Sequence, residues 1–119
     1  MTSGPAMDRV LAAFARSFNE RPELAEMTQG WDRVILLRAH EAGWTRALAV
    51  RAGRLSVLDS QETPSSADIV LEAPSDTLAA IFSGELSPTE PYLDGTLLVR
   101  GSEADMMKLD VFTIMVWGE

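Results

Sequence analysis

Cysteine is missing from this chain of 119 residues, and that absence excludes disulfides, thiolate nucleophiles and cysteine-ligated zinc or iron–sulfur sites. Histidine occurs once, at His40, so multi-histidine metal sites are excluded and a single imidazole base is available. Basic residues are scarce: 10 Lys and Arg stand against 18 Asp and Glu, a formal net charge of -8. Such a surface repels phosphates, so neither nucleic acid nor a strongly anionic membrane is an expected partner. No apolar run approaches the ~20 residues of a membrane span. Met1-Thr2-Ser3-Gly4-Pro5 also lacks the basic-then-apolar order of an export signal. A soluble, cytoplasmic protein is expected, and Trp117-Gly118-Glu119 is not a peroxisomal address of the Ser-Lys-Leu type.

What is present suits one ordinary core. Hydrophobic residues make up 46% and charged residues 24%, so residues 1–119 are expected to fold as a single domain burying roughly two-thirds of its unfolded surface. Pro5 to Phe18 places Val10, Leu11, Phe14 and Phe18 at helical spacing. Asn19 and Pro22 stop that helix, and Pro22 to Met27 adds a short turn. From Trp31 to Ser60 the turn signals Glu41-Ala42-Gly43 and Arg51-Ala52-Gly53-Arg54 divide β-branched and aliphatic runs into three antiparallel strands. The first, around Val34-Ile35-Leu36-Leu37, is apolar on both faces and so central. The second places Trp44, Leu48 and Val50 on one side. A polar loop, Asp59 to Ser66, leads to a fourth strand at Ala67 to Ala73. A helix follows with Ser75 as N-cap, an inward stripe of Leu78, Ile81 and Phe82, and Gly84 as its stop. Thr96 to Arg100 reads as a fifth strand, and Ser102-Glu103-Ala104-Asp105 opens a last helix as a capping box.

The order Ala67-Asp68-Ile69-Val70-Leu71, Phe82-Ser83-Gly84-Glu85-Leu86-Ser87-Pro88, Tyr92-Leu93-Asp94-Gly95-Thr96-Leu97-Leu98-Val99-Arg100-Gly101 and Met107-Lys108-Leu109 resembles the sterol carrier protein type-two family. The resemblance covers about a third of the chain at motif level. It implies an α+β fold: a five-stranded, largely antiparallel sheet covered by helices and enclosing a hydrophobic tunnel for sterols, fatty acids, acyl-coenzyme A or similar lipids. Leu36, Trp44, Leu78, Phe82, Met106, Leu109, Phe112 and Met115 are then the candidate ligand-binding residues, with Tyr92 at the mouth. Glu90-Pro91 replaces the family's usual lysine-alanine type of pair, so ligand identity does not carry over.

Without the family, the last helix is the most informative segment. Met106, Met107, Leu109, Val111, Phe112, Ile114, Met115, Val116 and Trp117 leave almost no solvent face, and a helix apolar all round is expected to be covered on every side. A cavity, a ligand or a partner chain would do this. Methionines suit a cavity that adapts to its ligand, although a methionine stripe is also ordinary core. Val111 to Trp117 would alternatively form a homodimer seam. Catalysis has little support: His40 reads as an exposed turn histidine, Gly-x-Ser-x-Gly is absent, and Glu103 and Asp105 suit a helix's first turn. No cofactor or metal is expected. The leading expectation is non-catalytic binding or transfer of a lipid-like ligand. The alternative is a pocket enzyme of cyclase or isomerase type acting on a lipid-like, polyketide or terpenoid metabolite, since holding a flexible substrate leaves no motif.

Overall fold

The computed structural model describes residues 1–59 and 66–117. Helix α1 (Gly4–Asn19) begins where the Ser3 side chain accepts the Ala6 N–H, with Pro5 in a first turn that needs no N–H partner. Met7, Leu11, Phe14 and Phe18, spaced by three or four residues, are fully buried along one face. Asn19 does more than end the helix. Its side-chain amide donates to the Leu55 carbonyl at 2.8 Å and its carbonyl accepts the Leu55 N–H at 2.9 Å. Leu55 lies on an edge strand, so this pair satisfies backbone groups that would otherwise be open to another chain. Helix α2 (Pro22–Met27) follows directly.

The sheet has five strands in the order β3-β2-β1-β4-β5. Strands β1 (Arg33–Ala39), β2 (Trp44–Arg51) and β3 (Arg54–Leu58) form the expected antiparallel meander. The hairpin at Ala52-Gly53 takes positive φ at both residues, 52° and 76°, the turn whose twist matches the flanking strands. A Cβ on Gly53 would lie 2.8 Å from the Ala25 carbonyl, so the glycine also lets α2 approach. Strand β4 (Ile69–Glu72) runs parallel to β1, and β5 (Leu98–Arg100) pairs antiparallel with β4. The sheet is thus largely antiparallel with one parallel pair.

Both later strands are shorter than the sequence predicts. At β5 the cause is local: Asp94 takes the Thr96 N–H at 2.8 Å and the Pro91 carbonyl takes the Leu97 N–H at 2.9 Å, so the ladder begins only at Leu98. The Asp59 to Ser66 loop falls largely at residues 60–65, outside the described residues.

Alternation sends Ile35, Leu37, Leu48, Val50, Leu55, Ile69 and Leu71 into one core with the helices. Helix α3 (Ser75–Phe82) contributes Leu78, Ile81 and Phe82 to it. Ser75 proves to be the first helical residue rather than the N-cap. The Glu41 carboxylate, from the turn after β1, accepts its N–H at 2.5 Å and its hydroxyl at 3.3 Å. A remote carboxylate has taken the capping role, which no local pattern announces. Helix α4 (Thr89–Asp94) fills the connection between α3 and β5, and α5 (Glu103–Trp117) closes the layer.

Candidate functional site

Helix α5 is held at both ends by groups far apart in sequence. Ser102 caps it by accepting the Asp105 N–H at 3.1 Å. Asp105 does not turn back to complete a capping box. Its carboxylate accepts the Trp31 Nε1–H at 2.8 Å and the Arg33 Nε–H at 3.0 Å. Burial alone would raise the Asp105 carboxyl, but the hydrogen bonds from Trp31 and Arg33 and the arginine's charge outweigh it and hold the group below its ordinary range. Lys108 lies over the Trp31 ring and donates to the Met27 carbonyl at 3.0 Å, tying α5 to the C-terminus of α2. At the far end Trp117 donates its Nε1–H to the Phe82 carbonyl at 2.8 Å. Its side chain sits where Gly84 is bare: a Cβ there would lie 2.6 Å away.

Between these ends α5 is not covered on every side, contrary to expectation. Leu109, Phe112, Thr113 and Val116 are buried, whereas Met107 is 65%, Val111 45% and Ile114 52% exposed. The buried side meets a filled centre. Phe14 contacts Phe82 edge-on at 4.9 Å between ring centroids, and Phe112 packs edge-on against Phe18 at 5.5 Å and against Trp31 at 5.8 Å. Such edge-to-face contacts add to what area burial alone supplies.

Beside this aromatic cluster lies an apolar pocket of about 360 Å³, at the small end of the range for ligand sites. Leu71 and Val99 on adjacent strands line the sheet side, Ile81 of α3 lies beside them, and Pro88 to Leu93 bring in α4. Helix α5 supplies Glu103, Met106, Met107, Leu109, Asp110 and Thr113. Its rim includes Leu93, 77% exposed, and Met107.

Of the nine residues expected to bind ligand, this pocket gathers Tyr92, Met106 and Leu109. Phe82 and Phe112 belong to the aromatic cluster. Leu78 and Trp44 are core, the Trp44 Nε1–H donating to the Thr2 carbonyl at 3.0 Å. Met115 is half-buried against the core. Leu36 is in register with Ala47 on the opposite face of the sheet from Ile35 and Leu37. The pocket residues not anticipated as ligand contacts are chiefly Leu93, Leu97, Val99 and Thr113, of which Leu97 and Thr113 are buried. For Leu97 and Val99 the signal was present in the short apolar run after the Gly95 turn, which also reads as plain strand.

His40 lies in a one-turn helix, 74% exposed, with Nε2 3.1 Å from Glu72 Oε2. The hydrogen bond from His40 is the main reason the Glu72 carboxyl sits below its ordinary value. Neither residue lines the pocket. No cluster of three metal-ligating side chains occurs among the described residues.

The family model described as the SCP-2 sterol transfer family matches residues 11–113. Hydroxysteroid dehydrogenase-like protein 2 of Danio rerio is 30% identical over 95 residues, covering 80% of this chain but 22% of that protein. The chain thus spans about a fifth of this curated relative. Among solved structures, the UbiJ-SCP2 ubiquinone synthesis protein superposes with a TM-score of 0.68 at 16% identity, covering 98% of this chain and 95% of that one. Sterol carrier protein 2 from Yarrowia lipolytica, in its apo form, gives 0.61 at 17% identity over 91% and 89%. The sec-alkylsulfatase Pisa1 from Pseudomonas sp. gives 0.59 at 21% identity, with 75% of this chain matching 13% of that one.

Proposed function

The chain belongs to the SCP-2 sterol transfer family, and from that premise we propose that residues 1–119 form one domain that binds or transfers an apolar, lipid-like ligand without catalysis. The observation that carries this reading is the pocket between α3, α4, β4–β5 and α5, apolar in its walls and open at Leu93 and Met107. Tyr92, Met106 and Leu109 are the proposed contacts, the methionine adapting its shape to the ligand. Fatty acids, acyl-coenzyme A and sterols are the candidate classes.

Reversible carriage follows from the energetics. Each buried methylene gains about 0.8 kcal/mol against water. A lipid leaving a bilayer or micelle exchanges one apolar environment for another, so transfer is nearly balanced. The titratable groups lining the pocket are Tyr92, Glu103 and Asp110, and no observation favours the cyclase or isomerase alternative. The proposed location is the cytoplasm. No helix among the described residues is long and apolar enough to cross a membrane.

Native mass spectrometry of protein purified from cells, followed by extraction of the bound molecule, is the direct test. Protein that emerges empty, and then fails to bind fatty acid, acyl-coenzyme A and sterol, defeats the proposal. A homodimer through Val111–Trp117 is a second proposal, motivated by the exposure of Val111 and Ile114. Light scattering at high concentration checks it, and a monomer there rejects it.

A further inference from the structure

The lipid-binding reading leaves the polar end of the ligand undefined, and the charges around the pocket define it. Building on that reading and narrowing its candidate classes toward sterols and other neutral lipids, we infer that the pocket admits amphiphiles whose head group is uncharged or cationic and discriminates against carboxylate and phosphate heads. The charged side chains lining it are Glu103 and Asp110, two turns and about 10 Å apart on one face of α5. Neither carboxylate has an ion-pair partner among the described residues. An adjoining hollow shares Thr89 and Leu93 with the pocket and adds Glu90 and Asp94.

No cation among the described residues offsets this rim. Helices α3 and α4 and strand β4 contain no lysine or arginine. Lys108, the basic residue of α5, is committed to the Met27 carbonyl and the Trp31 face. Arg100, on β5, follows Val99, and alternation puts it on the face opposite the one Val99 gives to the pocket. Uncharged heads are served instead by hydroxyls. Thr89 and Tyr92 line the pocket with side chains that make no hydrogen bond within the described residues, and Thr113, which donates to the Asp110 carbonyl at 2.9 Å, keeps its acceptor capacity.

A negative head held within a few ångströms of either carboxylate in a partly desolvated mouth meets a repulsion corresponding to about tenfold or more in affinity. An uncharged head meets none. Salt screens such exposed charges with a Debye length of ~8–10 Å, so the discrimination shrinks as ionic strength rises.

Three probes with the same twelve-carbon chain isolate the head: dodecanol, dodecylamine and dodecanoate, each titrated below its aggregation threshold by calorimetry at low and high salt. The expected result is dodecanol binding indifferent to salt, dodecylamine weakening with salt, and dodecanoate about tenfold or more weaker than dodecanol at low salt. Glu103→Gln combined with Asp110→Asn should bring dodecanoate to within about threefold of dodecanol and abolish the salt dependence of that ratio. Should the double variant fold poorly, Glu103→Gln alone, at an exposed position, should recover part of the difference. Dodecanoate binding as tightly as dodecanol to the wild-type chain overturns the inference while leaving lipid binding intact. Failure of all three probes to bind overturns the selection, and failure of sterol as well removes the lipid-binding reading with it.

Discussion

The two flanks of the helix layer are built to different tolerances. Over β2 and β3, α1 presents four fully buried side chains, Met7, Leu11, Phe14 and Phe18. It is fastened by Arg46 to Asp8 at 2.6 Å and by the paired bonds between Asn19 and Leu55. At the other flank a six-residue helix and the outer side of α5 leave Leu93 and Met107 more than half exposed. The first flank is packed to exclude change. The second keeps apolar surface in reserve. The contrast shows how a small chain hosts a guest: one side supplies the stability that the other forgoes.

Substitutions separate the two flanks by size of effect. Phe112→Ala should be the most damaging, because it empties the junction of three aromatic contacts. A loss of about 3–5 kcal/mol is expected in urea unfolding, and a smaller loss would mean that the aromatic centre relaxes as the pocket flank does. Asp105→Asn comes next, at about 2 kcal/mol, since Arg33 and Trp31 lose a charged acceptor. This substitution also changes the pH dependence. Folding lowers the Asp105 carboxyl, so the unfolded chain binds the extra proton. The stabilisation is complete above the unfolded value of ~3.9 and is lost as pH falls through the lower folded value. Urea midpoints measured from pH 5 to pH 3 should therefore fall less steeply in the variant than in the wild type.

These effects bear on what could be read from sequence. The core face of α1 and the three-strand meander were legible, because periods of 3.6 and 2 survive in Leu11, Phe14 and Phe18 and in Ile35 and Leu37. Asp105 was legible only as a helix-start residue. Its binding of Trp31 and Arg33 spans more than seventy positions, and no local pattern encodes such a partner. The site was partly legible for the same reason. Tyr92 and Leu109 were found through motif order and Met106 through the apolar last helix, whereas Leu36 and Phe112 carry the same apolar signal and differ only in which way the tertiary packing turns them.

Gly84→Ala tests the seam between the flanks. The residue sits at φ +83° and its missing Cβ is where Trp117 lies. Strain of about 1–2 kcal/mol is expected from the backbone alone. A thermal melt measures it, and a shift in Trp117 emission should accompany it. Smallest of all should be Met107→Ser, an exposed rim position. Stability should stay within about 0.5 kcal/mol of wild type while dodecanol affinity falls by about threefold or more. A matching loss of stability would place Met107 in the packed flank after all.

The three tryptophans give this architecture its own optical readout. Trp44 bonds the Thr2 carbonyl, Trp31 the Asp105 carboxylate and Trp117 the Phe82 carbonyl, so each indole N–H reports on a different joint. Variants retaining a single indole turn emission wavelength into a local strain gauge. A guest entering beneath α5 would redden or quench Trp31 and Trp117 while Trp44 stays silent. The order in which the three signals change under denaturant would record which joint parts first, with no extrinsic dye attached.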